Sequence, residues 1–113
     1  MLVMNRFLVE PAAADAFVER AHAALRALAA CRGYESGELT RALDDPRHWS
    51  LVTRWESVGT YRRALGAFDV KISASPLLAE SLDEPSAFEA LATAAPGADV
   101  VVTASDRATG AGR

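Results

Sequence analysis

The sequence predicts one small α+β domain, and three observations support this. The chain has 113 residues, a length that fits a single domain. Strand-like alternation and helix-like spacing follow one another in the order strand, helix, strand, strand, helix, strand. That order is a doubled split βαβ unit, so we expect a ferredoxin-like antiparallel sheet with helices on one face. The domain is predicted to span residues 1–93, and residues 94–113 are predicted to form a flexible tail.

The first half of the domain carries the clearest periodic patterns. Residues 2–9 are nearly all apolar and predict a strand whose alternation puts Val3, Asn5, Phe7 and Val9 on one face. Pro11 is suited to the start of a helix, and Gly33 is a helix stop signal. The apolar stripe between them comprises Phe17, Ala21, Ala24, Leu25 and Leu28.

The second half begins with a predicted hairpin. Its strands are residues 34–43 and 49–55, joined by a turn at residues 44–47. Ser57 is the predicted N-cap of a second helix. The apolar stripe of that helix comprises Val58, Tyr61, Leu65 and Phe68. Further elements are a short helix after Ser75-Pro76, a last main strand at 86–91 and a short edge strand at 99–103.

The predicted sheet has helices on one face only, which leaves its other face uncovered in a monomer. Phe7, Trp49, Trp55 and Phe88 are too apolar to be left in water on such a face. A short chain also gains core by associating. We therefore expect a homodimer in which two sheets pack face to face and leave a lined cavity in each subunit.

Composition excludes several classes of function. The net charge of −3 gives no basic surface for nucleic acid, and no apolar run approaches the roughly 20 residues that span a bilayer. A single cysteine, Cys31, excludes an internal disulfide and a multi-cysteine metal site. No phosphate-binding loop or metal-binding motif is present, so no metal or cofactor is expected. The first residues do not resemble a signal peptide, and the expected location is cytoplasmic.

Four short segments carry a resemblance to a known family. They are residues 4–7 (MNRF), 33–34 (GY), 55–57 (WES) and 61–62 (YR). In these positions the chain resembles the antibiotic biosynthesis monooxygenase family over roughly residues 2–91. The resemblance implies a dimeric α/β barrel, the architecture already predicted from the order of elements.

Two branches of that family can be compared with this chain. Haem-degrading members combine a first-strand asparagine with a helical tryptophan and a histidine ligand, and only the asparagine is present here, as Asn5. Cofactor-free anthrone oxygenases place a tryptophan and, six residues later, a tyrosine where this chain has Trp55 and Tyr61. They also use an asparagine where this chain has Leu51, and an arginine after the second helix that has no match in the chain.

The resemblance implies a cofactor-independent monooxygenase that uses O₂ on an aromatic, polyketide-like small molecule. The expected catalytic residues are Asn5, Trp55 and Tyr61. The expected substrate-binding residues are Phe7, Trp49, Leu51 and His48. Four of these residues also have a structural interpretation. Asn5 would be a hydrogen-bonded strand amide, Trp55 would fill the core, Tyr61 would be a buried tyrosine with a local partner, and His48 would be exposed in a turn. A non-oxidative protein that binds or cyclises such a molecule, and an accessory dimer without catalysis, remain alternatives.

Overall fold

The computed structural model describes residues 1–104 of the chain. The elements in chain order are β1 (Leu2–Leu8), α1 (Ala14–Ala29, after a 3-10 turn at Pro11–Ala13), β2 (Tyr34–Arg41), β3 (His48–Trp55), α2 (Val58–Leu65), α3 (Phe68–Ser73), α4 (Ser75–Leu78), β4 (Ala87–Phe88), β5 (Ala92–Thr93) and β6 (Val101–Val102). No helix within residues 1–104 is long and apolar enough to cross a bilayer.

The main sheet has four antiparallel strands in the order β2-β3-β1-β4. This is the ferredoxin-like order, and it confirms the predicted fold class. The central pair, β1 and β3, is in register along the whole of β1, with Asn5 opposite Leu51 and Phe7 opposite Trp49. The pairing of these two middle strands therefore determines which of their side chains lie together on each face of the sheet.

The helix-covered face of the sheet, called here the inner face, holds the apolar core. Val3, Phe7, Trp49, Leu51 and Trp55 are all buried on it. Phe17 of α1 packs on it, with its ring centroid 5.1 Å from that of Phe7 and 5.4 Å from that of Trp49. These residues therefore pack against helices within one subunit.

This arrangement corrects the predicted origin of the dimer interface. Phe7, Trp49 and Trp55 were expected on the uncovered face of the sheet, and they lie on the covered one. Alternation alone shows which residues share a face but not which face the helices cover. Phe88 is 43% exposed in the edge strand β4, so it alone of the four is left exposed to solvent in the monomer.

The predicted stripe of α1 is confirmed, and that of α2 is confirmed in part, since Tyr61 and Leu65 are partly buried against the core. Phe17, Ala21, Ala24 and Leu28 are buried, and Leu25 is partly buried against the core. In α2 the buried residues are Thr60 and Ala64, while Phe68 is 76% exposed at the start of α3.

A capping box explains the orientation of α2. The Thr60 amide donates to Ser57 Oγ over 3.1 Å, and the Ser57 amide donates to Thr60 Oγ1 over 3.2 Å. This reciprocal pair turns Thr60 toward the core. The α2 helix then ends at Leu65, so its periodicity does not extend to Phe68.

The C-terminal part differs from the predicted last strands. Only Ala87–Phe88 of the predicted strand at 86–91 pairs with β1. The predicted edge strand at 99–103 is present as Val101–Val102, but it pairs with Ala92–Thr93 in a separate two-stranded sheet. Residues 105–113 of the predicted tail lie outside the described residues.

This separate sheet forms an exposed C-terminal hairpin, residues 91–103, which a bond from the Thr103 amide to the Leu91 carbonyl closes. Its large apolar side chains are exposed by 54% (Leu91), 59% (Val100), 62% (Val101) and 81% (Val102). The radius of gyration is 15.6 Å, whereas a compact domain of this length has about 13 Å. The hairpin therefore leaves apolar surface that this subunit does not cover.

Gly33 provides a test of how α1, β2 and α2 fit together. Its φ is +88°, and a Cβ atom there would overlap the side chain of Thr60. We predict that Gly33→Ala lowers the free energy of unfolding by at least about 1–2 kcal/mol, the cost of a left-handed non-glycine residue alone. Denaturant unfolding measures this.

Gly59→Ala is the matched control, because a Cβ atom there meets no atom closer than 3.7 Å. Its φ is not positive, and alanine favours the helix by about 0.5–1 kcal/mol. Equal stability of the two variants would contradict the tight contact between Gly33 and Thr60.

Candidate active site

Asn5 is a polar residue in the middle of the apolar inner face. It is 8% exposed and lies opposite Leu51 on β3. No residue within 1–104 makes a hydrogen bond with its side chain. The Asn5 amide nitrogen and oxygen are not among the fully buried atoms, so they remain accessible to a small molecule. An unpaired amide in an apolar setting is suited to bind a polar group of a ligand.

A second part of the inner face is an aromatic cluster formed by Tyr34, Trp55 and Tyr61. The centroid of the fully buried Trp55 ring lies 5.4 Å from that of Tyr34 and 5.4 Å from that of Tyr61. Trp55 Nε1 donates to Thr53 Oγ1 over 2.7 Å. The indole N–H of Trp55 is therefore already bonded within the protein and is not free to donate to a substrate.

Tyr61 keeps an available hydroxyl. Its position in the first turn of α2 follows from the capping box, which places Thr60 inward and Tyr61 beside it. Burial raises the pKa of the Tyr61 phenol, so the group stays protonated and able to donate throughout the neutral range. No hydrogen bond to the Tyr61 hydroxyl is formed within residues 1–104.

The three predicted catalytic residues face the same side of the sheet but form two groups. Asn5 is opposite Leu51, and Trp55 lies four residues further along β3, a separation of about 13 Å along a strand. Tyr61 belongs to the Trp55 end. A ligand would have to extend along the inner face to reach Asn5 and Tyr61 together.

The predicted substrate-binding residues divide between the two faces. Phe7, Trp49 and Leu51 are buried beside Asn5 on the inner face. His48 is adjacent to Trp49 in sequence and therefore points to the opposite face. There His48 Nε2 lies 3.3 Å from Asp45 Oδ2, beside an open cavity of about 490 Å³. The structure thus separates His48 from the other candidates.

Two residues that sequence reasoning did not assign to the site contribute to it. Thr53 is 2% exposed and fixes the Trp55 ring, and Tyr34 packs on the edge of that ring. Thr53 shares the face of Trp55 by strand alternation, so the pattern alone could have identified it. Tyr34 could not be placed in this way, because a register shift interrupts β2 between Tyr34 and Ser36.

The largest described cavity lies away from Asn5. It has a volume of about 680 Å³ and is lined by Met1, Val58, Gly59, Arg62, Ala87, Phe88 and Glu89. None of the cavities described is lined by Asn5, Trp55 or Tyr61.

Two features of residues 1–104 concern the histidine, cysteine and carboxylate side chains. No group of three or more His, Cys, Asp or Glu side chains in this part of the chain is arranged to hold a metal ion. Burial and the nearby Asp69 carboxylate both raise the pKa of the Cys31 thiol. A raised pKa keeps the thiol protonated and therefore a poor nucleophile.

Comparisons with solved structures show the same fold in several proteins. SnoaB, a cofactor-independent oxygenase from Streptomyces nogalater solved as a point mutant, is 26% identical with a TM-score of 0.61, over 72% of this chain and 82% of that chain. Rv0793 from Mycobacterium tuberculosis is 20% identical with a TM-score of 0.60, over 93% and 95%. A conserved protein from Methanosarcina mazei Go1 is 19% identical with a TM-score of 0.63, over 76% and 84%.

Sequence comparison gives one match to a family. No curated protein matches the chain. The profile of the family described as "Antibiotic biosynthesis monooxygenase" matches residues 1–69, which run from β1 into α3 and include Asn5, Trp55 and Tyr61. Because this match covers more than half of the sequence, the chain belongs to the antibiotic biosynthesis monooxygenase family.

Proposed function

We propose that the protein is a cofactor-independent monooxygenase that acts on an aromatic, polyketide-like small molecule. The observation that carries the proposal is Asn5, an amide that is 8% exposed, has no partner within residues 1–104 and is surrounded by apolar side chains. Membership of the family and the description of SnoaB as a cofactor-independent oxygenase support the reaction type.

The reaction without a cofactor requires a substrate that reduces O₂ itself. An anthrone loses a proton from its methylene carbon and becomes an enolate, which passes one electron to O₂. The resulting carbon radical and superoxide combine to form a C–O bond and a peroxide. Loss of water from the peroxide leaves a new carbonyl, so one oxygen atom enters the product and the other leaves as water. The protein's task is to stabilise the enolate and exclude bulk water.

The inner face supplies groups suited to that task. The Asn5 amide can donate to the enolate oxygen, and the protonated Tyr61 hydroxyl can donate at the other end of the same face. Phe7 and Leu51 provide dry walls beside Asn5. Trp55 provides a ring surface whose orientation Thr53 fixes. His48 has no part in the proposed site, because it faces the other side of the sheet.

The direct test is oxygen consumption by metal-free and flavin-free protein with 1,8-dihydroxyanthrone as substrate. We expect one O₂ consumed per quinone formed, with one atom of labelled oxygen in the product. Binding of the anthrone without oxygen consumption above the uncatalysed rate would favour the non-oxidative alternative. A protein that neither binds the anthrone nor consumes oxygen would favour the alternative of an accessory dimer without catalysis.

Asn5→Ala tests the proposed donor to the enolate. We predict a decrease in kcat of about ten- to a thousandfold, the range for a lost donor at a developing anion. The melting temperature should change little, because the amide has no partner within residues 1–104 to lose. Ser50→Ala is the matched control, since Ser50 is on the opposite face of the sheet and lines a different cavity. A kcat of Asn5→Ala equal to that of wild type would show that Asn5 does not take part in the reaction.

Tyr61→Phe tests the second donor while keeping the ring that packs on Trp55. We predict a decrease in kcat of about tenfold or more, with little change in stability, because only the hydroxyl is removed. Because burial raises the pKa of this phenol, loss of wild-type turnover from Tyr61 ionisation should begin at a higher pH than for an ordinary tyrosine, whose pKa is about 10. A variant as active as wild type would show that Tyr61 only packs.

We also propose that the protein is a homodimer, now on different grounds from those of the sequence. The C-terminal hairpin exposes Leu91 and three consecutive valines, Val100 to Val102. An isolated two-stranded hairpin is marginally stable in water, and exposed apolar surface of this kind marks an interaction site. A second copy of the chain that covers the hairpin accounts for both features.

The dimer proposal predicts the effect of charge in the hairpin. Wild type should sediment at twice the 12.0 kDa chain mass at micromolar concentration. Val101→Asp combined with Val102→Asp should shift the protein toward monomer, because two carboxylates would be buried in the interface. Leu43→Asp should have no such effect, since Leu43 is fully exposed in the turn between β2 and β3. A hairpin variant that stays dimeric would show that the interface lies elsewhere.

A further inference from the structure

The structure assigns a ligand-binding role to the indole N–H of Trp49. We propose that Trp49 Nε1 and the Asn5 amide donate to the same carbonyl or enolate oxygen of a flat aromatic ligand. The proposal rests on the proposed function. It adds a second hydrogen-bond donor at Trp49, a residue that the sequence predicts only to contact the substrate.

The unsatisfied nitrogen of Trp49 is the first observation. Trp49 is 8% exposed, and its Nε1 atom is fully buried. Within residues 1–104 it is the one fully buried side-chain nitrogen or oxygen without a hydrogen-bond partner. Buried tryptophan usually finds a partner for this group, so an unpaired one needs an explanation.

The other tryptophan of the chain shows that the fold is able to satisfy such a group. Trp55 lies on the same face of the same strand, and its Nε1 donates to Thr53 Oγ1 over 2.7 Å. Trp49 has no equivalent acceptor beside it. The unpaired indole N–H is therefore specific to Trp49 and is not a general feature of the core.

Packing holds the Trp49 ring in place without a hydrogen bond. The Phe17 ring packs on the Trp49 ring in a T-shaped arrangement, with the two ring centroids 5.4 Å apart. The Arg41 guanidinium carbon lies 5.2 Å from the ring centroid, within the range of a cation–π contact. These contacts restrict the orientation of the Trp49 ring, which favours a preorganised donor.

The register of the central strands brings Trp49 and Asn5 together. Asn5 is opposite Leu51, so Trp49 is its diagonal neighbour on the same face. Side chains in that relation lie about 7–8 Å apart at the backbone and within reach of long or aromatic groups. An oxygen atom placed between them can accept from both, which is the arrangement that stabilises an enolate.

Two-dimensional ¹H–¹⁵N NMR tests this directly, because the chain has only two indole N–H groups. The probe is 1,8-dihydroxyanthraquinone, which has the ring and oxygens of the proposed product and does not react with O₂. We expect a downfield shift of the Trp49 indole proton on saturation, and little change for Trp55. Trp49→Phe assigns the two signals. A saturated complex in which the Trp49 signal does not move downfield would overturn the proposal, and so would the absence of any complex.

Affinity measured by calorimetry gives a second, independent readout. Trp49→Phe keeps an aromatic ring but lacks the donor, so the quinone should bind about three- to tenfold more weakly. Anthracene, which has no oxygen, should bind wild type and variant alike. Equal affinity of wild type and Trp49→Phe for the quinone would overturn the role of the N–H. The same result would be obtained if a water molecule, and not the ligand, accepted the hydrogen bond from Trp49.

These outcomes are distinct from those that test the monooxygenase reaction. An indole shift and a weakened Trp49→Phe complex, with no oxygen consumption by wild type, would support the binding role and refute the oxygenase. Oxygen consumption by wild type, with a Trp49 signal that does not move in the quinone complex, would support the oxygenase and refute the binding role of Trp49.

Discussion

The register between β1 and β3 is the constraint on which the rest of the molecule depends. It pairs Asn5 with Leu51 and Phe7 with Trp49, and it places all four on the face that the helices cover. A shift of one residue in either strand would move that strand's set of side chains to the opposite face. The apolar core, the buried amide and the two tryptophans are therefore all consequences of one strand pairing.

The same pairing places polar groups where they cost stability. An unpaired buried donor or acceptor costs about 1–3 kcal/mol, a large part of the 5–15 kcal/mol that holds a typical domain together. Thr53 removes that cost for Trp55. Trp49 Nε1 bears that cost within residues 1–104. Trp49 is the diagonal neighbour of Asn5, whose side chain also has no partner there, so we propose that one ligand oxygen accepts from both. In this account the least satisfied part of the core is the part that binds.

Sequence reasoning could recover the fold but only part of the site. Strand alternation identified the shared face of Val3, Asn5 and Phe7, and the α1 stripe was right because helical spacing persists over its 16 residues. The covered face was assigned wrongly, since both faces of β1 are largely apolar. The α2 stripe was right for Tyr61 and Leu65 but missed the buried Thr60 and Ala64, because the capping box sets the rotation of an eight-residue helix. The unpaired indole nitrogen of Trp49 could not be predicted, because it depends on which acceptors the fold brings near the ring.

The most direct test of the central claim is a crystal structure of the protein with 1,8-dihydroxyanthraquinone bound. We predict that the ring system lies between the inner face and the helices, with one ligand oxygen within hydrogen-bond distance of both Asn5 and Trp49. A ring bound instead in the 680 Å³ cavity, on Arg62 and Phe88 with Asn5 uncontacted, would contradict it.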